Sequence, residues 1–84
     1  MVTIRDATLQ DARFLVENNI LMAEETEDRI LDRVIVAQGV ARLMAEPSRG
    51  RYLVAEADDA PVGQCLLTYE WSDWRCGDFW WIQS

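Results

Sequence analysis

Tyr52-Leu53-Val54-Ala55-Glu56-Ala57 is an apolar, strand-forming run that ends in the turn Asp58-Asp59-Ala60-Pro61, and a second such run over residues 62–71 follows at once. A third, Phe79-Trp80-Trp81-Ile82, comes after the polar stretch Ser72-Asp73-Trp74-Arg75-Cys76-Gly77-Asp78. Three strands joined by two short polar turns predict an antiparallel meander. Alternation sends Trp80 and Ile82 to one side of the sheet and Phe79 and Trp81 to the other. A last strand that is apolar on both sides is one that expects cover on both sides. A hairpin centred near Trp74 sets Cys65 opposite Gln83 and Cys76 opposite Ser72. That separation is too great for a disulfide, which needs Cα atoms within about 7 Å.

Upstream of the meander the period changes. Val2-Thr3-Ile4-Arg5 alternates and predicts a short first strand. Thr8 with Asp11 three residues later predicts a capped helix start, and Leu9, Ala12, Leu15, Val16, Ile20 and Ala23 then recur at helical spacing over about residues 9–23. Glu24-Glu25-Thr26-Glu27-Asp28 is too acidic for a core and is expected to form the loop that leaves this helix. Asp32 caps a second helix with Val36, Val40, Leu43 and Met44 on one face, closed by Pro47 and Gly50. Gly39 lies inside it, where glycine costs about 1 kcal/mol relative to alanine. The order is β-α-α-β-β-β: an α+β fold, an antiparallel meander with two N-terminal helices, in a single domain over residues 1–84.

Composition narrows the function. At 84 residues, 50% of them hydrophobic, the chain has enough apolar material to fold. Fifteen acidic residues against eight arginines leave a net charge of −7. An acidic chain without a basic stripe cannot neutralise phosphates, so no nucleic acid and no membrane surface is expected as a partner; a cationic or amine-bearing partner fits better. With no histidine and only two cysteines, zinc sites of the usual type and His-dependent triads are excluded. The N-terminus has no secretory pattern and no run approaches membrane-spanning length, so the expected location is cytoplasmic.

Ile4-Arg5-Asp6-Ala7-Thr8 with Asp11-Ala12, the two helices, the Tyr52-Leu53-Val54-Ala55-Glu56 strand, and Pro61-Val62-Gly63 running into Tyr69-Glu70-Trp71 together resemble the GNAT superfamily of acyl-CoA-dependent N-acyltransferases. The resemblance covers the whole chain and implies the front, acceptor-side half of that fold. Acetyl-CoA is the cofactor it implies for a complete enzyme, bound through a glycine-rich loop at a helix N-terminus, where backbone N–H groups and the helix dipole hold a pyrophosphate. Gly39, Gly50, Gly63 and Gly77 are too scattered to build such a loop. This chain alone is therefore expected to be inactive.

The family's chemistry is direct acyl transfer to an amine, with a general base and a backbone N–H on the fourth strand that polarises the thioester carbonyl. The resemblance places Gln83 where many members carry a catalytic Glu, and a neutral amide can orient a group but cannot take its proton. Glu70, between Tyr69 and Trp71, is the substitute general base, on the expectation that aromatic walls desolvate it. Glu24 and Glu25, with Glu27, fall in the connection that borders the acceptor site in the superfamily, and Trp71 offers an indole face to a cation. Three readings stay open: part of an acetyltransferase completed by a chain supplying the missing C-terminal half; a non-catalytic module that forms a homo-oligomer through its last strand; and a small acidic protein that binds a cationic ligand.

Overall fold

The structure, a computed structural model, describes residues 1–83. Strand β1 (Val2–Asp6) leads through a 3-10 turn (Leu9–Asp11) into α1 (Ala12–Glu27), α2 (Arg33–Ala45), β2 (Gly50–Ala57), β3 (Ala60–Ser72) and β4 (Gly77–Ile82). The four strands form one antiparallel sheet in the order β1-β2-β3-β4, so the expected α+β meander is the fold observed.

Both helices lie on one face of the sheet. Leu15 and Val16 from α1, Val40 from α2, and Tyr52 and Val54 from β2 make the buried core, with Ala12, Phe14, Ile20, Val36, Leu43, Met44 and Leu66 packed around it. The opposite face carries no helix among the described residues. Strand alternation therefore leaves apolar side chains bare there: Ile4 is 65% exposed, Trp80 58% and Ile82 75%.

Several local expectations are corrected. Leu9 belongs to the 3-10 turn and is exposed, so the packed face of α1 begins at Ala12. The acidic run is not a loop: α1 continues to Glu27 and ends at Asp28, which takes a left-handed conformation at φ 52°. Charged residues are tolerated there because that end of the helix is exposed on its outer side. Gly50 does not close α2; it opens β2, and a Cβ on it would lie 2.6 Å from the Leu67 carbonyl oxygen.

The β3–β4 register is displaced by one residue from the expectation. Ser72 pairs with Gly77 and Leu67 with Ile82, because loop 73–76 takes in Cys76, which turns left-handed at φ 50°. A one-residue slip exchanges the faces of a strand. Trp81 and Phe79 thereby lie opposite Thr68 and Glu70 on the helix-covered side. Tyr69 and Trp80 pack in a tilted pair on the bare side with ring centroids 5.2 Å apart and planes at 58°. Cys65 and Cys76 are both free.

One ion network ties the start of the helix layer to the sheet. Arg5 on β1 donates to both carboxylate oxygens of Asp11 at 2.7 and 2.8 Å and also pairs with Glu56 on β2 at 3.1 Å. Asp11 is buried and accepts the Thr8 backbone N–H at 2.7 Å. Hydrogen bonds from Arg5 chiefly hold its carboxyl down from 3.8 to about 2; the Thr8 N–H assists, and burial opposes both. A depressed carboxyl stabilises the fold fully above its unfolded value and ceases to do so as pH falls toward its folded one. The wild type should lose about 2 kcal/mol between about pH 5 and pH 2 through this group. Asp11→Asn should lose a similar amount at neutral pH and show a shallower acid slope. Urea melts of both chains across that range check this; equal slopes would contradict it.

Candidate active site

A cleft of about 510 Å³ opens between α1, α2, β2 and the end of β4. Its inner wall is aliphatic, with Met22, Ala23, Val36 and Val40, and its polar lining includes Asn19, Tyr52, Glu27, Arg29 and Gln83. A small-molecule site has this character: a mostly apolar concavity of a few hundred cubic ångströms with a few placed polar groups.

The polar groups are held from behind. The Gln64 amide donates to Asn19 Oδ1 at 3.1 Å, and Asn19 Nδ2 donates to the Tyr52 hydroxyl at 3.3 Å. Tyr52 is buried, and its own hydroxyl proton has no acceptor among the described residues. The Gln64 Oε1 atom is buried without a partner among them as well. At the far wall Gln83 continues the β3–β4 ladder, its backbone N–H donating to the Leu66 carbonyl at 2.8 Å while its side chain donates to Thr68 Oγ1 at 2.8 Å. The one-residue register slip is what brings Gln83 to the helix side; the expected register would have put it opposite Cys65, on the bare face.

The mouth is formed by the α1–α2 turn. Asp28 and Arg29 both donate their backbone N–H groups to the Ala23 carbonyl, and the left-handed Asp28 separates Glu27 from Arg29. This closure fixes the turn backbone, although the side chains from Glu27 to Ile30 are exposed.

Of the residues singled out in the sequence, Gln83 lines this cleft, as does Glu27. Glu24 and Glu25 lie on the exposed last turns of α1, outside its lining. Glu70 and Trp71 share a different, shallower cleft of about 390 Å³ with Trp74 and Phe79 at the β3–β4 hairpin. Glu70 is exposed, and Tyr69 and Trp71, its neighbours in sequence, alternate to the opposite face, so they do not wall it in. Glu70 pairs with Phe79 on β4, four positions before Gln83 at the cleft, about 13 Å at the usual strand rise.

Asn19, Tyr52 and Gln64 were not legible as site residues. Asn19 does fall on the stripe of Leu15, Val16 and Ala23, and an amide on an apolar stripe implies a buried partner. That signal was available. No group of residues suited to a metal ion occurs among the described residues. The acetyl-CoA phosphates find no fit either: Asp11 stands before α1 and the Asp32 carboxylate accepts the Val34 and Ile35 N–H groups at the start of α2. The Asp32 carboxylate thus occupies the position at the α2 N-terminus where a phosphate would bind, and the Asp11 carboxylate, turned back to Arg5 and the Thr8 N–H, puts a negative charge beside the α1 N-terminus.

Three solved structures carry the comparison. A possible acetyltransferase from Clostridium difficile 630 matches the whole chain at 40% identity with a TM-score of 0.97. The fold is acetyltransferase-like. An integron cassette protein from the mobile metagenome of Cole Harbour Salt Marsh matches 92% of the chain at 22% identity and TM-score 0.83. A predicted acetyltransferase from Clostridium acetobutylicum, solved with acetyl-CoA, matches 99% at 17% identity and TM-score 0.73. The last two show shared fold alone. The chain spans 55, 50 and 57% of the lengths of these proteins, little more than half of each. No protein-family model matches it, and no curated protein does.

Gly39 sits beside this cleft on α2, and nothing lies within 4 Å of a Cβ added to it. Close packing does not require glycine there. Gly39→Ala should therefore stabilise the chain by about 0.5–1 kcal/mol through helix propensity. A higher urea midpoint at unchanged slope is the expected readout; destabilisation would show that the cleft wall needs the glycine backbone.

Proposed function

We propose that this chain is the acceptor-side portion of a GNAT-superfamily N-acetyltransferase, an enzyme that moves an acetyl group from acetyl-CoA to an amine. One observation carries the reading: the whole chain superimposes on about half of a possible acetyltransferase at 40% identity. The bare apolar sheet face and the unpaired edge of β4 support it, because both are surfaces that a larger fold covers.

On this reading the chain's contribution is acceptor binding. The cleft excludes water from an apolar acceptor body with Met22, Val36 and Val40, orients its polar end with Tyr52 and Gln83, and offers Glu27 as counter-charge to its ammonium. Glu70 lies beyond hydrogen-bond reach of a ligand in that cleft, so it is assigned no proton transfer there. Trp71, Glu24 and Glu25 likewise lie outside it. The acetyl donor's site belongs to the remaining length of the relatives, which joins along β4, and the completed enzyme works in the cytoplasm. Among the described residues no helix is long and apolar enough to cross a membrane.

Co-expression tests this. The chain, supplied with the portion of the Clostridium difficile protein that it does not match, should co-purify with it and release CoA from acetyl-CoA when primary amines are added. Each part alone should release none. Failure of the pair to release CoA, with the intact relative active in the same assay, would overturn the proposal.

A further inference from the structure

The α1–α2 turn places two opposite charges on the rim of one cleft. Glu27 and Arg29 both line it, neither forms an ion pair among the described residues, and the hydrogen bonds of the turn to the Ala23 carbonyl fix the backbone that carries them. Five of the other arginines are already committed: Arg5, Arg33, Arg42, Arg49 and Arg51 each hold a carboxylate of the chain. An acceptor that carried only an ammonium would satisfy Glu27 and leave the guanidinium beside it, where like charges repel. An acceptor that carried only a carboxylate would meet the converse conflict. A ligand with both charges meets neither.

The rest of the lining sets the body of that ligand. Between the charged rim and the sheet the wall is aliphatic, and the Tyr52 hydroxyl, which accepts from Asn19, still has its own proton to donate. An anionic oxygen is the natural acceptor for it. We infer that the cleft binds a free α-amino acid with an aliphatic side chain, its ammonium on Glu27, its carboxylate on Arg29, and its side chain against Met22, Val36 and Val40. This rests on the acceptor-site reading above and names the class of acceptor.

The test needs only the chain itself. Backbone amide NMR of the 84-residue protein is followed during titration with L-leucine, with 3-methylbutylamine (leucine without its carboxylate), and with 4-methylpentanoate (leucine without its amine). Leucine should shift the amides of Ala23, Val40 and Tyr52, and each single-charge analogue should bind roughly tenfold more weakly. Glu27→Gln and Arg29→Gln alter exposed side chains and should leave the spectrum folded. The first should bring leucine down to the affinity of the carboxylate analogue, and the second to that of the amine. If 3-methylbutylamine binds as tightly as leucine, the cleft does not read a carboxylate, and the inference falls while the amine-acceptor role stands. If none of the three moves these amides at about 10 mM, an affinity weaker than any working site, the inference falls outright. The acetyltransferase reading is then judged separately, by CoA release from the co-expressed halves.

Discussion

The pairing of Arg5 with Asp11 and Glu56 joins the two layers of this small fold. Arg5 comes from the edge strand, Glu56 from its neighbour, and Asp11 from the turn that opens α1. With Asp11 buried and receiving the Thr8 N–H, that one carboxylate both caps the helical segment and anchors it over the sheet. Were it free, α1 could still form by propensity, but nothing polar would set where it begins relative to β1. The apolar contacts then act on elements already in register, and Leu15 and Val54 become fully buried. Everything that lines the cleft from α1, Asn19, Met22, Ala23, Thr26 and Glu27, inherits its position from this anchor. A separate ion pair, Arg51 of β2 with Asp6 of β1, ties the same two strands on the other face of the sheet.

Much of this was legible because residue type and period agree. The Thr8/Asp11 start, the Asp32 cap with its two accepted N–H groups, the Val36-Val40-Leu43-Met44 face, and the three strands after residue 50 are all local signals that the tertiary structure obeys. The exceptions have physical causes. Val2 and Ile4 are the apolar members of the β1 alternation, yet they are exposed and the helix-side position goes to Arg5, because the ion network occupies that face. The β3–β4 register depended on one residue, Cys76, adopting a left-handed conformation that nothing in its side chain favours. The same slip moved Gln83 to the helix-covered side.

The site was legible only in part. Glu27 and Gln83 were in view, the first within an acidic run and the second through family resemblance, but a run of like residues does not say which member faces inward. Helical phase decides it: α1 extends through Glu27, so Glu24 and Glu25 point away while Glu27 reaches the turn. Tyr52 was visible as a strand residue, and its hydroxyl partner lay 33 residues away on another element, beyond the reach of any local rule. Glu70 failed as a walled carboxylate for the simplest reason, that sequence neighbours on a strand face opposite sides.

On the proposed reading the chain holds the acceptor side of an acetyltransferase fold, and the acetyl donor sits on the length of the relatives that the chain does not span. Titration calorimetry of the purified chain with acetyl-CoA tests it most directly. The Asp32 carboxylate on the α2 N-terminus, the Asp11 charge beside that of α1 and the absence of a glycine-rich turn among the described residues predict no measurable heat of binding. One-to-one binding tighter than about 100 μM, a free energy near −5.5 kcal/mol, would contradict it.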